Sequence, residues 1–143
     1  MKPLMQGQDK RNVSAFVPYR RTNDAYEFYL QKRTFDAPTN PGLFSLFGGG
    51  IEAGESPLQG LLREVEEELV YAPKNLLYFS KYESENRIFH VFAEEVKSDF
   101  ESLVNVQEGE YGAFLRLTDV EISPDVSTLA RLVIIGLTNY LNK

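Results

Sequence analysis

Gly49-Gly50-Ile51-Glu52-Ala53-Gly54-Glu55, continued by Arg63-Glu64-Val65-Glu66-Glu67-Glu68, joins a glycine-rich turn to a segment with more negative charge on one side than a fold needs. Between the two halves, Ser56-Pro57 reads as a helix start, a hydroxyl N-cap followed by proline in the first turn. On that helix Glu64, Glu67 and Glu68 stand at i, i+3 and i+4 and share one face. At about 100° per residue they span roughly 100° of the helical wheel. Leu58, Leu61, Leu62, Val65 and Leu69 occupy a similar sector on a different side, and Glu66 lies away from the three clustered acids. Like charges at this spacing repel by about 0.2–0.5 kcal/mol per pair. A hard divalent cation such as Mg²⁺, Mn²⁺ or Ca²⁺ would turn that repulsion into a binding site, because it prefers carboxylate oxygens. An acid-rich helix face alone is more often solvated surface, so the inference needs the glycine turn and the whole stretch in register.

On either side of this stretch, alternating apolar runs mark strands, among them Val13–Val17 and Tyr26–Leu30, joined through the polar turn Thr22-Asn23-Asp24. Thr34 to Gly42 holds two prolines and reads as a loop, and Leu43 to Phe47 as a short strand running into the glycines. Leu76–Tyr82 and Ile88–Val96 read as a strand pair turning at Ser84-Glu85-Asn86, and Tyr111–Leu117 as a further strand. Ser123-Pro124 is expected to begin a final helix with an apolar stripe at Val126, Leu129, Ala130, Val133, Leu137, Tyr140 and Leu141. Strands with one helix in the middle and one at the end predict an α/β fold, a mixed sheet covered on both faces.

At 143 residues, without a long linker or repeat, residues 1–143 are expected to form a single domain. A net charge of −6 argues against a basic nucleic-acid groove, so no nucleic-acid partner is expected. The absence of cysteine excludes disulfides, thiol nucleophiles and zinc–thiolate sites. Met1 to Asn12 lacks the apolar run of a signal peptide and no segment reaches membrane-spanning length, so the expectation is a cytoplasmic protein without a membrane partner.

From Gly49 to Tyr71 the chain resembles the Nudix box, Gly-x5-Glu-x7-Arg-Glu-U-x-Glu-Glu-x-Gly-U with U aliphatic. Gly49, Glu55, Arg63, Glu64, Val65, Glu67 and Glu68 fit in register. Two positions depart: Val70 stands where the pattern has its second glycine, and Tyr71 where it has an aliphatic residue. That glycine serves as a left-handed helix stop, which valine tolerates poorly, so the helix end is expected to be built differently here, with help from Pro73.

The resemblance implies an α/β/α sandwich with the box helix and a C-terminal helix packed on the sheet. It implies a metal-dependent pyrophosphohydrolase using Mg²⁺ or Mn²⁺ on a nucleoside diphosphate linked to another group, nucleoside triphosphates included. Glu64, Glu67 and Glu68 would hold the ion, with the Gly49 carbonyl and Glu108 completing the set, while Glu55 and Arg63 brace loop against helix. Relatives supply a further acid from outside the box, and Gln107-Glu108-Gly109-Glu110 ahead of the last strand matches that loop, with Glu110 the alternative to Glu108. Glu64, Glu67 and Glu108 are the candidate catalytic acids, the general base being open between Glu67 and Glu108. His90, amid alternating strand residues, reads as structural, and Phe35 or Phe44 beside the glycine turn as candidates to stack on a base.

Downstream of the box the proline of ADP-ribose hydrolases and the tyrosine of diadenosine polyphosphate enzymes are both missing, which favours a nucleoside triphosphate or related small nucleotide. The alternatives are a nucleotide sugar or ADP-ribose as substrate, a non-catalytic nucleotide-binding module of the same fold, or a partner-binding domain whose acidic helix is surface. The resemblance is compatible with a monomer or a homodimer.

Overall fold

The computed structural model describes residues 10–143, so most of the N-terminal stretch read above for a signal sequence lies outside the described residues. The strands are β1 (Arg11–Thr22), β2 (Ala25–Lys32), β3 (Phe44–Ser45), β4 (Phe47–Gly50), β5 (Leu77–Glu83), β6 (Arg87–Glu95) and β7 (Tyr111–Arg116). The helices are α1 (Pro57–Leu69), α2 (Phe100–Leu103), α3 (Leu117–Ile122) and α4 (Thr128–Leu141).

All strands join one mixed sheet in the order β3-β2-β1-β6-β5, with β4 also pairing β1 and β7 pairing β2. β1 is the hub. It runs parallel to β6, antiparallel to β2 over its second half, and antiparallel to β4 over Val13–Phe16. The β1–β2 hairpin closes on Asn23 and Asp24, both with positive φ, as a two-residue turn between twisted strands requires.

Side-chain alternation along β1 sorts the core into two layers. Ala15, Val17 and Tyr19 face Val133, Ile134 and Leu137 of α4. Phe16, on the other face, meets Leu61, Val65 and Leu69 of α1 together with Tyr29, Phe47 and Phe100. Burying each of those α1 side chains contributes about 1.5–3 kcal/mol. The expected α/β sandwich, with the acid-bearing helix on one face and the C-terminal helix on the other, is what the chain forms.

Several boundaries differ from the sequence reading. The strand expected at Leu43–Phe47 breaks at Leu46 into β3 and β4, and the glycines lie inside β4 rather than after it. Leu117 leaves the last strand and opens α3, and the single-turn α2 was not foreseen. The final helix begins not at Ser123-Pro124 but at Ser127, whose hydroxyl accepts from the Ala130 N–H at 3.2 Å. The intervening backbone is committed elsewhere. Phe44 N–H donates to the Asp125 carbonyl at 2.7 Å and Ser127 N–H to the Phe44 carbonyl at 2.9 Å, an extended bridge that holds Val126 in the core but out of the helix.

In α1 the core seam is turned toward the acids. Leu61, Val65 and Leu69 are fully buried and Glu68 joins them at 2 % exposure, whereas Leu58 and Leu62, expected on the core side, are exposed. The end of α1 also overturns an expectation. Val70 itself adopts the left-handed conformation, φ 51°, and its N–H donates to the Glu66 carbonyl. The stop is therefore built as glycine would build it, at a strain cost of about 1–2 kcal/mol for a residue with a Cβ.

Candidate active site

The start of α1 is fixed by a capping box: the Ser56 hydroxyl accepts from Gln59 N–H, and the Gln59 side chain accepts from Ser56 N–H. From inside the sheet, the buried Ser14 hydroxyl donates to the Pro57 carbonyl at 2.7 Å and ties the helix to β1. These contacts set the rotation of α1 and so the place of every carboxylate on it.

Arg63 organises the loop. Its Nε stands 2.8 Å from Glu55 Oε2 and its Nη2 3.0 Å from Glu55 Oε1, a forked pair. The same Nη2 donates to the Gly50 carbonyl at 3.0 Å, while Nη1 reaches Glu64 at 2.9 Å and lies 3.6 Å from Glu67. Glu55 also accepts from the Glu52 N–H. The Arg63 hydrogen bonds, then that backbone donor, hold the Glu55 carboxyl down to about 2. Glu55 and Arg63 thus tie the loop, the glycine strand and the helix into one unit.

Gly49 presents bare backbone to Glu64: a Cβ built there would stand 2.5 Å from the Glu64 carboxyl. Gly48 has φ 137°, a conformation open to glycine alone, and a Cβ there would run into the Ser14 carbonyl. Its N–H donates to Glu68 Oε1 at 2.7 Å. This donor was not foreseen, since nothing in a run of three glycines says which peptide faces the helix.

Glu68 is the buried acid of the group. Burial first, and then the adjoining Glu108 side chain, push its carboxyl up to about 9 against the opposing effect of the Gly48 N–H. Burial likewise raises Glu64, with Arg63 acting in the opposite direction. Glu67 is exposed at the open edge of the helix face.

Glu108 reaches this group from a loop held at both ends. Gln107 N–H donates to the Glu68 carbonyl at 2.7 Å, and the buried Gln31 side chain donates to the Glu108 carbonyl at 2.9 Å. Glu110 instead gives its N–H to the Lys32 carbonyl where β7 begins. Of the two acids weighed from sequence, Glu108 is the one brought to Glu68. Gln31, which seats that loop, was missed because a buried glutamine in a strand carries no local signal of a partner so far along the chain.

Among the described residues, no three acid or histidine side chains already stand as an assembled ion cage. The donor chemistry nonetheless fits a hard cation. Glu64, Glu67, Glu68 and Glu108 offer only carboxylate oxygens, and burial raises two of them, Glu68 and Glu64, above the ordinary carboxylate value. Residues that would hold such an ion are therefore the four glutamates, with bare glycine backbone beside them.

The remaining candidates lie apart. His90 is bonded through its ring nitrogens to Asn12 at 3.0 Å and Tyr78 at 3.2 Å on the sheet, a structural setting. Phe35 is 77 % exposed, whereas Phe44 packs edge-on to Tyr111 and under Lys32. On the α4 side of the glycine strand opens a cleft of about 860 Å³, walled by Leu46, Tyr82, Phe89 and Leu129 and floored by Gly48–Gly50. No helix among the described residues is long and apolar enough to cross a membrane.

Comparison with known proteins bears on the family and the fold. The model of the NUDIX domain matches residues 10–133. No curated protein matches the chain by sequence. Among solved structures, the NUDIX domain of Shewanella oneidensis NrtR complexed with ADP ribose superposes with a TM-score of 0.74 at 16% identity, covering 92% of this chain and 88% of that one. The MutT protein from Methanosarcina mazei gives 0.69 at 23% identity, covering 94% and 99%. A Caenorhabditis elegans Ap4A hydrolase binary complex gives 0.67 at 17% identity, covering 92% and 98%. At these identities the likeness is one of fold.

Proposed function

This chain belongs to the Nudix family, and on that footing we propose that it is a metal-dependent pyrophosphohydrolase acting on a nucleoside diphosphate linked to another group, a nucleoside triphosphate first among them. The observation that carries the proposal is the buried Glu68 carboxyl. It sits beside Glu108 and Glu64, with no arginine or lysine paired to it among the described residues. A carboxyl desolvated without a cationic partner destabilises a fold, so stability does not account for its burial. Placing it where a cation can replace its proton gives that cost a purpose.

A bound Mg²⁺ or Mn²⁺ would supply charge neutralisation of the phosphoanhydride and activation of water. Glu64, Glu67, Glu68 and Glu108 would hold it, with the Gly49 carbonyl as backbone donor. What the chain's own groups do is position and accept. Arg63 and Glu55 keep loop and helix in one geometry, and the Gly48 N–H aims Glu68. Glu67 and Glu108, the acids least engaged by protein donors, are the two groups available to take a proton from attacking water. In-line displacement by water needs no covalent enzyme intermediate.

The test is phosphate release, with a coupled phosphatase, from a panel of nucleoside triphosphates, nucleotide sugars, ADP-ribose and dinucleoside polyphosphates in Mg²⁺ and in Mn²⁺. Turnover of one class that vanishes in chelator supports the proposal. Nucleotide binding without turnover under either ion would contradict it and favour a binding module.

A further inference from the structure

Successive glycines of β4 face opposite sides of the sheet and make room for opposite charges. Gly49 leaves space for the Glu64 carboxylate on the α1 side. Gly50 leaves space for Arg11 on the other, where a Cβ would stand 2.5 Å from the guanidinium. The Gly50 peptide is thus held by Arg63 through its carbonyl and overlain by Arg11, one residue from the acidic face.

Arg11 is in register with Arg87 across the parallel β1–β6 pair, and both line the cleft with Arg33. Among the described residues none of these arginines forms an ion pair, although the chain carries a net charge of −6. Glu83 is the one acid among the residues lining the cleft, and it is already met by Lys10 at 3.6 Å and Lys81 at 4.0 Å. Arg33 is anchored on Thr39 and Gln31, whereas Arg11 and Arg87 make no side-chain hydrogen bond within the described structure. Unpaired guanidinium groups gathered in the cleft of an acidic protein, beside aromatic and aliphatic walls, fit an anion attached to an apolar body. Guanidinium is the side chain best shaped for phosphate.

We propose that Arg11, supported by Arg87, reads a phosphate beyond the diphosphate unit placed at the glutamates, the phosphate chain rounding the edge of β4 that pairs with no strand among the described residues, so that the chain selects nucleotides with at least three consecutive phosphates over nucleotide sugars and ADP-ribose. The inference rests on the hydrolase reading for where that diphosphate lies. A ligand with a sugar at this position offers hydroxyls where Arg11 calls for a doubly accepting anion, leaving the guanidinium without a counter-charge. Arg11 is then a specificity-determining contact, separate from the groups that act on the scissile bond.

The experiment measures equilibrium binding of ATP and ADP-ribose, each as its non-hydrolysable methylene analogue and in Mg²⁺, to the wild type, Arg11→Ala and Arg11→Lys. Thermal melts check that the variants fold. The expected result is a wild-type preference for ATP of about tenfold or more that collapses in Arg11→Ala, recovers in part in Arg11→Lys, and leaves ADP-ribose affinity nearly unchanged. An unchanged preference in Arg11→Ala, an equal loss for both ligands, or no wild-type preference overturns it. Parallel kcat/KM values separate the two readings. A collapsed binding preference without any turnover by the wild type would sink the hydrolase reading alone, while turnover of triphosphates equal in wild type and Arg11→Ala would sink this one alone.

Discussion

Arg63 holds Glu55 by both edges of its guanidinium, at 2.8 Å and 3.0 Å, while its remaining nitrogen reaches Glu64 at 2.9 Å. One cation therefore sets the position of the loop carboxylate and of a helix carboxylate with opposite fates. Glu55 accepts three hydrogen bonds, two from Arg63 and one from the Glu52 N–H. Glu64 accepts a single protein bond and keeps an oxygen for other work.

Replacing Arg63 with lysine keeps the charge and removes the fork, since an ammonium cannot span both Glu55 oxygens and reach Glu64 together. The expected outcome is a loss of about 10–100-fold in Mn²⁺ affinity or turnover, with the protein still folded. Calorimetric titration of Mn²⁺ into wild type and Arg63→Lys measures it. Equal affinities would show that the brace is dispensable.

Glu68 makes the metal-free protein pH-dependent with a definite sign. Its folded carboxyl is raised from 4.5 to about 9, so the folded state binds more protons than the unfolded state between those values. The stabilising contribution is complete below 4.5 and is lost as pH rises toward 9. Melting temperature in chelator should therefore fall from pH 6 to about pH 9, flatten in Glu68→Gln, and be recovered at high pH by saturating Mg²⁺ or Mn²⁺ in the wild type only. A wild-type profile as flat as that of Glu68→Gln would contradict the assignment of this proton.

Val70 pays left-handed strain at the end of α1 where glycine would not. Val70→Gly should stabilise the protein by about 1 kcal/mol, the relief of about 1–2 kcal/mol partly offset by the greater freedom of glycine in the unfolded chain. Val70 is half exposed, so little packing is lost with the side chain. Denaturant unfolding of the two proteins decides it, and a destabilised glycine variant would mean that the valine side chain contributes more than its conformation costs.

What could be seen in the sequence was whatever depends on spacing along one element. The face shared by Glu64, Glu67 and Glu68, the N-cap at Ser56 and the hairpin turn at Asn23-Asp24 are local, and the fold contains each of them. What could not be seen depends on partners far along the chain. The Phe44 backbone captures Asp125 and Ser127, which moves the start of α4 past a perfectly good capping pair at Ser123-Pro124. Sheet packing turns α1 so that Glu68 rather than Leu62 enters the core, a rotation that an isolated helical wheel does not contain. Val70 shows the reverse case. Local preference argued correctly that the residue is unsuited to its conformation, and the packing of α1 imposes that conformation all the same.

On the proposed function, the clustered glutamates of α1, and not its acidity in general, run a metal-dependent phosphoanhydride cleavage. Glu66 supplies the control, since it is exposed on the same helix and away from the cluster. The decisive measurement is nucleoside triphosphate turnover in Mg²⁺ and Mn²⁺ by wild type, Glu67→Gln, Glu68→Gln and Glu66→Gln. The expected result is cation-dependent turnover in the wild type and Glu66→Gln, and a loss of at least about 100-fold in Glu67→Gln and Glu68→Gln. Turnover that survives in Glu67→Gln and Glu68→Gln, or that falls equally in Glu66→Gln, would contradict it.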